Sequence, residues 1–150
     1  MSTFQIIVLA PAFSEKSAGI VMLYRLFNAM KQVDPRTDLV IYQGIGNQFY
    51  ITSNNGDIEP EDLSILFPRA IFIVPEVLCA SRLKNLRVVR YYLNSLGAIA
   101  PANADTEKEF AITFNPKFCN HAMFQIHDYL GKVPVPVNFA ATQINPRPII

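Results

Sequence analysis

The sequence predicts an α/β domain built on a mainly parallel sheet. Short apolar runs rich in Ile, Val and Phe recur at residues 4–10, 38–42 and 70–74, too short for buried helices and suited to strands covered on both faces. A long segment with apolar residues at helical spacing lies between the first two runs. The elements then alternate as strand, helix, strand, strand, helix, strand, an order that favours parallel pairing with right-handed crossovers.

Residues 4–10 (FQIIVLA) read as the first strand, and Pro11, Ala12 and Phe13 open a loop. Ser17 suits the N-cap of a helix in which Ile20, Leu23, Tyr24, Phe27 and Met30 share one side, with Arg25, Asn28, Lys31 and Gln32 on the other. Val21, Met22 and Leu26 widen the apolar stripe, so this helix is expected to be well buried. Asp34-Pro35 stops it, because the residue before proline disfavours the α region. Residues 38–42 (DLVIY) are a second strand. Residues 43–57 read as loop, with three of the six glycines and an Asn54-Asn55-Gly56 turn signal. Residues 60–65 suit a turn of helix with Glu59, Glu61 and Asp62 at its positive end.

Residues 70–74 (AIFIV) are the third strand, which Pro75 ends. A second long helix is expected from Ser81 or Arg82, with Gly97 in the position after its last turn. Leu83, Leu86, Val89 and Leu93 form its core stripe, and Arg87, Arg90 and Asn94 share another face. Residues 109–114 (EFAITF) alternate, with Phe110, Ile112 and Phe114 on one side, and read as a strand. Residues 121–129 suit either strand or helix. Residues 133–137 carry Pro134 and Pro136, which fits an edge or a linker. One domain over residues 1–132 followed by a proline-containing tail, 133–150, is the expected organisation.

Charges nearly cancel, at thirteen basic against twelve acidic residues, so no global field draws nucleic acid or an acidic membrane. A neutral or phosphorylated small ligand fits that balance better than a polyanion. Cys79 and Cys119 belong to no CxxC pair, which excludes a zinc ribbon or a thioredoxin-type site. Two free buried thiols are the preferred reading and a single disulfide stays open. No basic-plus-apolar leader is visible, and no apolar run nears the roughly 20 residues of a membrane span. A soluble, cytoplasmic protein is expected. His121 and His127 lack the spacing of a helical metal pair, so no metal is expected. No GxSxG elbow is present.

Nucleotide signatures are missing as well: there is neither GxGxxG nor GxxxxGK[ST] after the first strand. Ser17, Ala18 and Gly19 open the helix there instead. Free N–H groups at such a start favour an anion, although an ordinary capped helix has the same sequence. Glu76 falls at the carboxyl end of the third strand, where a carboxylate acts as a base or binds sugar hydroxyls, or is a solvated loop acid. Arg87 and Arg90 suit phosphate recognition, or form the solvated side of their helix.

Three segments resemble the N-terminal, acceptor-side half of a GT-B-type glycosyltransferase. They are the first strand with Ser17-Ala18-Gly19-Ile20 and its helix, the second strand, and Val74-Pro75-Glu76-Val77 with Arg87-Val88-Val89-Arg90-Tyr91-Tyr92-Leu93-Asn94. The third is similar to a pattern of some bacterial surface-polysaccharide transferases, and the likeness covers about two-thirds of the chain. Ala18 stands where one of the family's paired glycines falls. The resemblance implies a Rossmann-like, three-layer sheet with helices on both faces. It implies sugar transfer from a nucleotide-sugar to a glycan acceptor, with Ser17, Ala18 and Gly19 toward the donor phosphates. Glu76 becomes the catalytic carboxylate, and Arg87, Arg90 and Asn94 line the acceptor side. No cofactor is implied, and the donor-binding domain is supplied by a partner; self-association into a homo-oligomer is the other expectation. The alternative left by the residues is a non-catalytic α/β module for ligand binding or protein assembly.

Overall fold

The computed structural model describes residues 4–53, 56–95, 98–99, 109–115 and 117–125. Seven strands form one sheet: β1 (Gln5–Ala10), β2 (Asp38–Gln43), β3 (Tyr50–Ile51), β4 (Ala70–Pro75), β5 (Arg87–Tyr92), β6 (Phe110–Thr113) and β7 (Phe124–Gln125). Their order is β3-β2-β1-β4-β5-β6-β7. Every neighbouring pair is parallel except β2 with β3. The expected α/β class and mainly parallel sheet are therefore present.

Helix α1 (Ala18–Val33) begins and ends where its sequence dictates. The Ile20 amide donates to Ser17 Oγ at 3.3 Å, and the Asp34 amide donates to the Met30 carbonyl at 2.8 Å. Its apolar side, including Leu23, Tyr24 and Phe27, packs on Val8, Ala10, Leu39 and Ile73 of the sheet. Ile7, Leu9, Val40, Phe72 and Val74 point to the opposite face. That face is covered by Phe49, Ile51, the one-turn helix α2 (Leu63–Leu66), and Leu83 from a 3-10 turn at Ala80–Leu83. Burial on both faces is why the strands read as continuous apolar runs rather than alternating ones. Another 3-10 turn, Pro60–Asp62, leads into α2 at the place where a helical turn was expected.

The second long helix does not form. Residues expected in it divide between the turn Ala80–Leu83 and β5, which pairs with β4 and β6. Val88, Val89, Tyr91 and Tyr92 have the branched and aromatic side chains that suit a pleated surface. Helical spacing arose because β5 carries a buried arginine, whose polarity imitates a solvated helix side. Arg87 and Arg90, three residues apart, lie on opposite faces of a strand rather than one face of a helix.

The strand expected over residues 109–114 forms as β6, with Phe110 67% exposed and Ala111 and Thr113 buried. The loop expected over residues 43–57 changes. Phe49 and Ile51, inside the segment read as loop, are 1% and 0% exposed and form part of the core. Both cysteines are free. Among the described residues no helix is long and apolar enough to cross a membrane. The capping role expected of Gly97, the region 126–137 and the tail 133–150 lie outside the described residues.

Candidate functional site

From β1 the chain passes through α1 to β2 on one side and later returns to β4 on the other. The sheet thus changes winding direction between β1 and β4. The ends of neighbouring connections diverge there, leaving a crevice at the carboxyl ends of the strands, where open α/β sheets bind ligands. A cleft of about 510 Å³ occupies that position. Its walls come from Pro11 after β1, Ser17 and Gly19 at the start of α1, Tyr42 and Gln43 at the end of β2, Glu76 after β4, and Leu93 and Asn94 after β5. Ile20, Ile45, Val77 and Ile99 add apolar surface.

Glu76 is the chemical centre of the cleft. It is 6% exposed, and its Oε1 accepts the amides of Leu93 and Asn94, both at 2.9 Å. Among the described residues, no other residue donates a hydrogen bond to its Oε2. Burial pushes its carboxyl above the ordinary carboxylate range; the two amides and the nearby Arg90 charge oppose that rise without cancelling it. Tyr42, 3% exposed, borders the cleft with no hydrogen-bond partner for its hydroxyl among the described residues. Burial raises its pKa, and the Glu76 charge raises it further.

Three side chains fix the walls. Tyr24, on α1, donates its hydroxyl to the Pro11 carbonyl at 2.7 Å and stacks edge-on against Phe13, while burial lifts its pKa to about 12. Arg90, 0% exposed, holds the loop carrying Glu76: its Nη1 donates to the carbonyls of Pro75 at 2.8 Å and Leu78 at 2.7 Å. Its Nε and Nη2 donate to the two oxygens of Glu109 at 2.7 and 2.9 Å, a bidentate pair that balances the buried charge. Arg82 donates to the carbonyls of Asn47 at 3.0 Å and Phe49 at 2.7 Å, and pairs with Glu59 and Glu61. The loops after β2 and β4 are also joined directly. The Gly46 amide donates to the Val77 carbonyl at 2.8 Å, and the Cys79 amide to the Gly46 carbonyl at 2.7 Å.

Glycine has a definite task at one of these positions. Gly44 has φ +92°, and a Cβ there would lie 2.2 Å from the Gln48 carbonyl oxygen. Gly19 differs: a Cβ would make ordinary contact with Leu93 at 3.6 Å, so the close approach of α1 to the end of β5 does not demand glycine.

Of the residues singled out from sequence, the structure brings Ser17, Gly19, Glu76 and Asn94 to one cleft. Ala18 heads α1 but does not border the cleft. Arg90 lies behind the cleft, buried in its ion pair, and cannot face an acceptor. Arg87 sits at the amino end of β5, stacked 4.9 Å from the centre of the Phe4 ring, at the other end of the sheet. Tyr42, Gln43 and Glu109 were not singled out. The first two end a strand, and the rule that ligands meet carboxyl ends of strands would have found them. Glu109 had no local signal, because its partner is nineteen residues away in sequence. Among the described residues no cluster of His, Cys, Asp or Glu is arranged to hold a metal ion. In comparisons with known protein families, with curated proteins and with solved structures, nothing matches this chain.

Proposed function

We propose that the chain is a Rossmann-like ligand-binding domain whose cleft takes a small hydroxyl-bearing molecule of the sugar class, held at Glu76. The observation that carries this reading is the Glu76 carboxylate, which keeps one oxygen open in a buried, largely apolar cleft where the sheet changes direction. A carboxylate so placed gains by accepting a hydroxyl proton, because burial has already removed its water. The Tyr42 hydroxyl and the Asn94 and Gln43 amides supply further donors and acceptors around it. Apolar wall between them suits the carbon faces of a sugar ring.

In the glycosyltransferase-like form of this reading, the bound sugar is the acceptor. Glu76, its pKa raised by burial, takes the proton of the attacking hydroxyl. The hydroxyl oxygen then bonds to the anomeric carbon of a nucleotide-sugar held by a donor-binding domain across the cleft, as the bond from that carbon to the leaving nucleotide phosphate breaks. Ser17 and Gly19 border the same cleft at the start of α1, whose two leading amides suit a donor phosphate. A non-catalytic binding domain is the second reading. It is favoured by the two amides on Glu76 Oε1, which give the carboxylate a structural task of its own.

Titration of the full chain with mono- and disaccharides by protein-observed NMR tests the proposal. Shifts clustered at Tyr42, Glu76, Leu93 and Asn94, weakened in Asn94→Ala, are expected. Shifts absent from these residues, or a response unaltered by Asn94→Ala, would sink it.

A further inference from the structure

We infer that the ligand of this cleft presents an ammonium group to Glu76, making an amino sugar the simplest occupant; the inference rests on the sugar-binding reading above. Its basis is the charge in and behind the cleft. Among the described residues that line it there is no Lys, Arg or His, and Glu76 is the one acidic side chain. Arg90, the cation closest behind it, is already committed to Glu109 through both arms of a bidentate pair and to two backbone carbonyls. Among the described residues, Glu76 therefore has no cation paired with it, the guanidinium of Arg90 being paired with Glu109. Oε2 of Glu76 is the part of its carboxylate open to the cleft.

A neutral hydroxyl satisfies the open oxygen but leaves the charge. An ammonium satisfies both, with charge-assisted hydrogen bonds about twice as strong as neutral ones. The surroundings suit its remaining protons: the Tyr42 hydroxyl, 3% exposed and without a partner among the described residues, and the Asn94 side chain both border the cleft. An anionic group in the ammonium's place would meet the Glu76 charge across apolar walls that screen it little.

Calorimetric titration of the full chain at neutral pH with glucosamine, N-acetylglucosamine and glucose tests this, with wild type and Glu76→Gln compared. Glucosamine is expected to bind about tenfold tighter than the two uncharged sugars, the size of one well-placed charge-assisted contact. Glu76→Gln should erase that preference, leaving the three sugars with equal affinities. In the wild type, acidification through the Glu76 titration should also erase it, which keeps the test valid if the variant does not fold. Among the described residues, Arg90 and Tyr42 are the other ionisable groups near Glu76, and Tyr42, its pKa raised by burial, stays neutral on acidification. Equal affinity for all three sugars overturns the ammonium inference and leaves the sugar reading standing. A preference that survives both Glu76→Gln and acidification places the ammonium elsewhere and also overturns it. Failure of all three sugars to bind removes both.

Discussion

Among the described residues, Arg90 spends its side-chain hydrogen bonds on parts of the molecule that shape the cleft: two on the loop bearing Glu76, two on Glu109. Arg90→Met should cost about 3 kcal/mol in urea unfolding, because it strands the Glu109 charge in a poorly solvated place. The double variant Arg90→Met, Glu109→Leu should recover much of that loss; no recovery would show that the carbonyl bonds, not the ion pair, carry the effect. Glu76 contributes in a way that depends on acid. Its carboxyl titrates higher in the folded chain than in the unfolded one, so the folded state binds the extra proton. Stability from this group is present below the unfolded pKa and is lost as pH rises through the folded one. Glu76→Gln, whose amide oxygen can still accept the Leu93 and Asn94 amides, should flatten the stability profile over that interval. An unchanged slope would show that the proton is held elsewhere. Tyr91 offers a simpler test. Its hydroxyl is buried without a partner among the described residues. Tyr91→Phe should leave the midpoint of unfolding unchanged or raise it, by up to about 1 kcal/mol.

Among the elements, α1 was legible from end to end. Ser17 and Asp34 are where a cap and a stop had to be, and the stripe between them is long enough to show its period. Ser17→Ala should cost about 1 kcal/mol, the usual value of a lost N-cap, read from thermal or urea unfolding. β5 was not legible. Six residues carrying one buried arginine give too few turns of any period to separate helix from strand, and a guanidinium inside a sheet is polar in sequence and core in space. β3 was hidden for another reason: its two residues gain their strand identity from β2 and from the Ile51–Ile58 pairing, not from their own run. The candidate site divides in the same way. Glu76, Ser17 and Gly19 were visible because they follow or open recognisable elements. The place of Arg90 behind the cleft was not visible, because it depends on β5 being a strand and on the ion pair with distant Glu109. NMR secondary shifts over residues 87–92 check the outcome directly, with strand-like values expected throughout and helical values excluded.

Across the whole molecule, the sheet is assembled from pairings remote in sequence: β1 lies between β2 and β4, and β4 meets β5. The central strands are covered on both faces, whereas β3 and β7 are two-residue edges. Native-state hydrogen exchange should therefore place the slowest amides in β1, β4 and β5, and the fastest strand amides in β3 and β7. Uniform protection across the sheet would contradict this gradient. The cleft draws its walls from the protected strands, so its geometry should persist in partially opened forms that have lost the edges.

The amides of Leu93 and Asn94 share one oxygen of Glu76. Whatever reaches the carboxylate, whether a proton or a ligand, withdraws electron density from that oxygen and alters both bonds together. The backbone therefore carries its own indicator: two adjacent resonances that move in concert, without any attached label, whenever the state of a single side chain changes.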